Sequence, residues 1–426
     1  MKRTSMFLAL LGAIFLAGCG NGDTTSQSNF NNGTGNQPFK PVTHLSHRSL
    51  VTNSFAGQLQ VVDTFFDKLT AFTFATGQKP IYMQRSPDGT LTFVNNSGSN
   101  SISSLNNNLE AVKATIFLGG STESFVTSNS NRFGFAAVTS YSNGTFRTPG
   151  AIVRFNPTDG SLNTQIMFPH VQTIAMDVAE KHLLAFTDND DNAYWVDLNL
   201  DPTTLASQPI IALPAGTLSR PVAAFFSADS SKAFILSCGA ECGGTNPDGI
   251  PESPRVTEIA ITSSELVTGV VTTPVVTATV VNTWPVKGAQ RGLIDLSANK
   301  LYVVGSTGPD GFFTTIDLAA GTAGTPIQIG NGENRIIRNI KGVFWVGARN
   351  CGVQSCITLV NPASGSPTVL PTAHGDATGI SLVENTGDIY TIEGGELFIY
   401  DKNAKPVISE SNTDVRGQAF DVLYIN

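Results

Sequence analysis

Short apolar segments alternate with polar turns along most of the chain, and one kind of segment returns at a steady interval. It is an apolar run that ends in small polar residues, and it recurs about every 42 to 50 residues, apart from one interval of 68 residues from Lys232 to Lys300 that contains the largest insertion. The copies read SLVTNS, LTFVNN, FGFAAVT, HLLAFTD, KAFILSC, KLYVVGS, GVFWVGA and DIYTIEG. Each is followed by a turn and then by an alternating run such as AYWVDLN from Ala193. Alternation over so few residues predicts half-buried β-strands.

A repeat of this length predicts a β-propeller, in which each copy forms one blade around a common axis. We expect an all-β single propeller of about eight four-stranded blades, with seven blades as the alternative. The last segment, QAFDVLYIN from Gln418, is a strand with no blade after it, whereas the first blade starts at Ser49 without an innermost strand. We therefore expect the N- and C-terminal strands to pair and close the ring.

Several segments resemble the repeat unit of the YVTN-type β-propeller family. These segments are Val51–Asn53, Ser86–Gly89, Phe93–Asn100 and Val112–Phe117. The resemblance extends from about Ser46 to the end of the chain, which gives a propeller domain over residues 46–426. It implies a fold and leaves the function open, because propellers serve as enzymes, receptors and scaffolds.

Residues 1–18 have the pattern of a bacterial lipoprotein signal peptide. Lys2 and Arg3 precede an apolar core from Met6 to Phe15, and Leu16–Cys19 resembles a lipobox. The resemblance implies that Cys19 is acylated, with palmitate among its chains, and becomes the first mature residue. Gly20 stands where an inner-membrane retention signal would have Asp, which favours the outer membrane. The alternative is an ordinary signal peptide with a chance cysteine.

Residues 19–45 are rich in Asn, Ser, Thr and Gly and offer few large apolar side chains to bury. A flexible tether of about 25 residues spans roughly 28 Å. We expect this tether to hold the propeller on the bacterial cell envelope, at the periplasmic or the surface face of the outer membrane.

The charge of the chain argues against one class of partner. Asp and Glu outnumber Lys and Arg by 33 to 25, which gives a net charge of −8. Neutralising phosphates requires a basic surface, so we expect no nucleic-acid partner. We expect a monomer that reaches the membrane through its lipid anchor.

Four of the five cysteines form two close pairs. Cys238 with Cys242, and Cys351 with Cys356, each follow an opening strand of the repeat. In an oxidising envelope such pairs predict local disulfides. A zinc site made from all four is the alternative, and it requires two turns from blades two apart to meet.

Signatures of catalysis are missing from the sequence. It contains no GxSxG, P-loop or HExxH motif. The acidic run Asp188–Asn192 lacks the Gly and the later Glu of an EF-hand, so it is interpreted as a polar turn. We therefore expect no catalytic residues, no bound metal and no cofactor.

Basic residues recur where the chain leads into the innermost strand of a blade. The candidates are Lys79, His170, Arg220, Arg291, Arg335, His374 and Arg416. Converging cations at the mouth of a channel would attract an anion. In the alternative interpretation, each cation pairs with a nearby carboxylate and the ring of charges is structural. The carboxylates considered are Glu123, Glu333, Asp376 and Asp414.

Two classes of function follow from these observations. The first is a non-catalytic envelope or cell-surface lipoprotein with a binding or scaffolding role toward a protein, a glycan or an anionic ligand. The second is a propeller enzyme of the lactonase-like or quinoprotein-like type acting at the channel mouth. The long loop from Cys238 to Pro254 offers a second place for a partner.

Overall fold

The computed structural model describes residues 43, 45–142, 147–198, 210–242, 252–268, 271–405, 412–413 and 415–425. The signal peptide, Cys19, nearly all of the tether and Asp414 lie outside these residues. In the described part, no helix is long and apolar enough to cross a membrane.

The described residues form 34 strands, numbered in chain order. The first half comprises β1 (Arg48–Asn53), β2 (Gln58–Asp63), β3 (Lys68–Ala75), β4 (Pro80–Arg85), β5 (Leu91–Asn96), β6 (Ser101–Asn106), β7 (Ala111–Phe117), β8 (Thr122–Thr127), β9 (Gly134–Val138), β10 (Tyr141–Ser142), β11 (Arg147–Thr148), β12 (Ala151–Phe155), β13 (Leu162–Met167), β14 (Val171–Met176), β15 (His182–Thr187), β16 (Tyr194–Asp197), β17 (Pro221–Phe226) and β18 (Lys232–Ser237). The second half comprises β19 (Arg255–Thr268), β20 (Val271–Pro285), β21 (Arg291–Asp295), β22 (Lys300–Thr307), β23 (Asp310–Asp317), β24 (Thr322–Ala323), β25 (Ile327–Ile329), β26 (Glu333–Ile340), β27 (Val343–Arg349), β28 (Ile357–Asn361), β29 (Ser366–Val369), β30 (Ala377–Leu382), β31 (Ile389–Glu393), β32 (Glu396–Tyr400), β33 (Asn412–Thr413) and β34 (Val422–Tyr424). One 3₁₀ turn, Gly239–Cys242, is the helical element of this described part.

Eight antiparallel sheets form the blades of a propeller, which confirms the prediction of an eight-bladed all-β fold. Blade 1 is β34-β1-β2-β3, blade 2 is β4 to β7, and blade 3 is β8, β9, β12 and β13. Blade 4 is β14 to β16, blade 5 is β17 to β20, blade 6 is β21 to β25, blade 7 is β26 to β29 and blade 8 is β30 to β33. A bridge between Tyr194 and Ile210 marks the fourth position of blade 4.

The two chain ends close the ring within blade 1. Strand β34 pairs with β1, with Ser49 opposite Tyr424 and Val51 opposite Val422. The backbone N–H of Thr52 also donates to the carbonyl of Asp421 at 3.0 Å. The predicted pairing of the terminal strands is thus confirmed.

Burial explains why one strand of each blade gave the recurring apolar run. That run is the second strand of the blade. It lies between two strands of its own sheet, and its two faces pack against the two neighbouring blades. All six residues of β1 and of β5 are buried. Burying side chains such as Phe93 stabilises the fold by about 1.5–3 kcal/mol each.

The strand directions define two faces. Innermost strands begin at what we call the upper face and end at the lower face. Because the blades are antiparallel, turns between second and third strands lie on the upper face, and turns between first and second strands lie on the lower face. The first strand of the described chain, β1, is the second strand of its blade, so it begins at the lower face.

Both predicted disulfides are present in turns of the upper face. Cys238 bonds to Cys242 in blade 5 and Cys351 bonds to Cys356 in blade 7, with Cα atoms 5.9 and 5.5 Å apart. The local pairing is confirmed, and it leaves no thiolates for the zinc alternative. The sequence insertion of blade 5 extends β19 and β20 into a hairpin of 14 and 15 residues.

Candidate functional site: the central channel

The innermost strands bring a column of polar side chains to the channel axis. These strands are β4, β8, β14, β17, β21, β26, β30 and β34, and successive members from β8 through β34 to β4 contact one another. At the upper end, an extra residue disturbs the register of several of them. Glu123 in β8 and Arg335 in β26 are such residues. A bulge of this kind re-aims a side chain, and here it lies at the opening of the channel.

Three arginines gather at the upper end of the channel, and we call Arg291, Arg335 and Arg349 the arginine mouth. Burial lowers the pKa of Arg291, and the nearby positive charge of Arg335 lowers it further, while Glu123 opposes the shift. Arg335 pairs with Glu333 at 2.7 Å, and both side chains are about half exposed. Arg291, Arg335 and Arg349 are therefore held within electrostatic range of one another, with Glu123 and Glu333 as nearby opposite charges.

Arg349 is the least satisfied member of the arginine mouth. It ends β27, directly opposite Glu333 in the register of the sheet. Its Nε is buried and has no hydrogen-bond partner among the described residues. A buried donor without an acceptor costs about 1–3 kcal/mol, and more when it is charged. The arrangement therefore favours an additional acceptor at this position.

A second polar group lies deeper in the channel, around Asp421. Both carboxylate oxygens accept backbone hydrogen bonds, from Met83 at 2.7 Å and from Val422 at 2.9 Å. Burial raises the pKa of Asp421 to about 7, against the opposing effects of these bonds and of Arg338. Burial also raises the pKa of Tyr82, which is within electrostatic range of Asp421, Arg338 and Arg291. Asp421 and Arg338 line a cavity of about 140 Å³, which we call the lower chamber.

Arg220 and His170 form ion pairs outside the arginine mouth. Arg220 pairs with Glu252 at 2.8 Å, and both side chains are 7% exposed. His170 Nδ1 lies 3.4 Å from Asp188, with both side chains about half exposed. Both residues, like Lys79, directly precede an innermost strand and adopt left-handed φ angles between 51° and 60°. They occupy a different position from the arginines of blades 6 and 7, which lie within their strands.

The remaining predicted residues are dispersed. The ring of His374 stacks on Phe398 at 3.9 Å, and burial lowers its pKa. Lys79 and Arg416 are exposed on the upper side. The main-chain oxygen of Arg416 accepts a hydrogen bond from Gln60 at 2.9 Å, which ties the segment before β34 to blade 1. Of the seven predicted residues, the structure brings Arg291 and Arg335 into one cluster.

Sequence reasoning missed four residues of the channel: Tyr82, Arg338, Arg349 and Asp421. The signal of Arg338 and Asp421 was a polar residue inside an otherwise apolar segment, as in RIIRNI from Arg335 and FDVLY from Phe420. On an innermost strand, a polar side chain can face the central channel, where other polar groups surround it. Within the described chain, no group of three or more His, Cys, Asp or Glu side chains is placed to hold a metal ion.

Comparisons with known proteins support the fold. No protein-family model and no curated protein matches the chain. Among solved structures, a dihydro-heme d1 dehydrogenase, NirN, in complex with DHE superimposes with a TM-score of 0.63 at 13% identity, over 91% of this chain and 77% of its own. A eukaryotic initiation factor has a TM-score of 0.53 at 9% identity, over 89% and 98% of the two chains.

A third structure, the periplasmic gluconolactonase PpgL of Pseudomonas aeruginosa, has a TM-score of 0.49 at 14% identity, over 89% and 99% of the two chains. A TM-score of 0.49 is too low to indicate a shared function. At these identities the likeness concerns the fold alone, so membership of the YVTN-type family and the lipoprotein signal stay predictions.

Proposed function

We propose that this protein is an envelope-anchored binding protein that takes an anionic glycan or a similar multiply charged organic anion at the arginine mouth. The observation that carries the proposal is the gathering of Arg291, Arg335 and Arg349 at one end of the channel, where Nε of Arg349 is buried without a hydrogen-bond partner among the described residues. Carboxylates and phosphates match guanidinium donors in charge and geometry.

The electrostatics of the arginine mouth support a ligand over a structural role. Like charges held close together destabilise the free protein, and that cost is typical of binding sites. Structural cations are usually paired, as Nε and Nη2 of Arg220 are with Glu252, although Nη1 of Arg220 also has no hydrogen-bond partner among the described residues. Because a charged cleft with low-dielectric walls concentrates field lines, the same arrangement also speeds capture of an anion.

Anchoring is the second element of the proposal, and it rests on the sequence around Cys19. Several acyl chains, at about 0.8 kcal/mol per buried CH₂, hold a protein firmly on a membrane. Intact-mass analysis of the envelope fraction should find an acylated N-terminus at Cys19, and Cys19→Ser should release the protein. A mature chain that begins elsewhere would refute the anchor without affecting the binding site.

Calorimetric titration with carboxylated and phosphorylated sugars tests the binding site. We expect binding that weakens with salt, no binding of the neutral parent sugars, and at least a tenfold loss of affinity in Arg291→Gln. Arg132→Gln is the matched control, because Arg132 is an exposed arginine in a turn of the lower face. Equal affinity in the Arg291 and Arg132 variants, or no binding of any anion, would refute the proposal.

An enzyme acting in the channel is the second candidate, favoured by Asp421. A carboxyl group with a pKa near 7 can act as a general acid or base. NirN, which shares the fold, is described as a dehydrogenase. If the lower chamber is catalytic, Asp421→Asn should abolish hydrolysis of a lactone, in which the carboxyl group would transfer the proton of the attacking water, and leave anion binding at the arginine mouth intact.

A further inference from the structure

A groove opens between blades 7 and 8 at the lower face, outside the central channel. Its cavity volume is about 280 Å³, close to the lower end of the roughly 300–1,000 Å³ of small-ligand sites. The apolar side chains that line it are Ile340, Val343, Trp345, Leu359 and Ile389. We call it the lower groove.

Two lysines line the same groove. Lys341 lies in the turn after β26, and Lys402 lies in the turn after β32. Both are exposed, and no ion pair in the described part of the chain includes either ammonium group. The acid next to Lys402, Asp401, accepts backbone hydrogen bonds from Asn403 and Lys405 at 2.8 and 2.9 Å. It thereby closes its own turn, and both lysine charges stay available.

The apolar side chains that line the groove differ in how deeply they are buried. Trp345 and Ile389 are 3% and 1% exposed and belong to the core between blades 7 and 8. Val343 and Leu359 are only partly buried against that core, so part of their apolar surface is free. A Cβ at Gly387 would lie 3.3 Å from Nζ of Lys341, so this ammonium group lies against the turn of blade 8 that borders the groove.

We propose that the lower groove binds a long-chain carboxylate, with its tail along Val343 and Leu359 above the core that contains Trp345, and its head group between Lys341 and Lys402. An apolar trough with two unpaired cations complements both parts of such a molecule. A purely apolar ligand would leave the lysines unused, and a small ion would leave the trough unfilled. This site is independent of the arginine mouth.

Quenching of tryptophan fluorescence by spin-labelled stearate tests the site directly, because Trp345 is in its wall. We expect saturable quenching below the micelle concentration of the probe. Lys341→Gln with Lys402→Gln should weaken the affinity at least tenfold. Lys68→Gln with Lys181→Gln is the charge-matched control, since both are exposed lysines of the same face, and it should change nothing.

Two further measurements keep the test decisive. Calorimetric titration with unlabelled laurate must give the same order of affinities for wild type and both lysine variants. The methyl ester of the probe should bind at least tenfold more weakly than the acid. Equal quenching by ester and acid, equal affinity in the two lysine double variants, or no saturable binding at all would overturn the proposal.

Discussion

Two arginine side chains in this protein have opposite electrostatic surroundings. Arg220 is almost fully buried and bonded to an equally buried Glu252. Arg291 is instead held near the like charge of Arg335. A buried pair must be kept whole, because removing one partner leaves an uncompensated charge in a medium of low dielectric constant.

This contrast leads to a prediction on stability. Glu252→Gln should lower the free energy of unfolding by about 3–5 kcal/mol, because Arg220 loses its partner. Arg291→Gln should change it by less than about 1 kcal/mol or raise it, since repulsion is relieved. Denaturant titration of both variants measures this directly. Similar losses in the two variants would show that structural contacts, such as the hydrogen bond from Arg291 to the carbonyl of Gln290 at 2.8 Å, outweigh the repulsion.

Asp421 predicts a pH dependence of stability. Its pKa of about 7 in the folded protein lies above the unfolded value near 3.9. The folded state therefore binds the proton more tightly, and this contribution to stability is complete below about pH 4 and is lost as the pH rises through about 7. Between these pH values, the free energy of unfolding falls by at most about 1.4 kcal/mol per pH unit because of Asp421.

Asp421→Asn should remove that slope, whatever its effect on absolute stability. Unfolding free energies measured between pH 4 and pH 8 should therefore fall with pH in wild type relative to the variant. Parallel curves would mean that Asp421 is ionised throughout this range in the folded protein.

Position within a strand decided which site residues could be found from the sequence. Arg291 and Arg335 were found because they lie near the start of an innermost strand. Arg349 and Asp421 were not, because a polar residue in an apolar strand does not by itself show that the register with neighbouring strands brings it to the channel. The partner of Arg220 was also missed, since Glu252 is 32 residues away in a long loop.

At the scale of elements, the turns of the upper face carry the disulfides. Each bridge closes a loop with a sequence separation of only 4 or 5 residues. In the chain-entropy account such short loops contribute about 2 kcal/mol each. They hold the turns in shape and contribute little to the fold.

We therefore expect reduction of both disulfides to lower the melting temperature by only a few degrees. The double variant Cys351→Ser with Cys356→Ser should behave likewise, apart from the loss of buried sulfur packing in the core beside Trp345. Calorimetry with and without reductant measures the change. A drop on the order of 15 °C or more would show that the bridges stabilise whole blades.

Second strands were the easiest elements to predict from the sequence. Their residues are buried on both sides, so they appear as nearly continuous apolar runs, and β1 and β5 are examples. The innermost strands gave weaker patterns, because one side of each lies along a polar channel. Their bulges, such as the one at Arg335, depend on cross-strand register and had no sequence signal.

At the scale of the whole molecule, stability depends on the closure of the ring. Strand β34 connects β1 to the innermost strands of blades 2 and 8. Deleting residues 418–426 should abolish cooperative unfolding or cause aggregation, because it leaves unpaired strand edges and an exposed core. Light scattering and differential calorimetry report these outcomes. A truncated protein with the full melting temperature would disprove the closure.

Anion binding at the arginine mouth is the central proposal, and it requires that these arginines serve a ligand and not stability. The most direct measurement is the melting temperature of Arg291→Gln with Arg349→Gln, taken without ligand and with an anionic sugar at a hundredfold excess over its Kd. The sugar should raise the free energy of unfolding of the wild-type protein by about 2.7 kcal/mol, and with it the melting temperature. Without ligand, the double variant should melt at no lower a temperature than wild type. Adding the sugar should leave the melting temperature of the variant unchanged. A variant that melts well below wild type, or that keeps the full gain, would contradict this role.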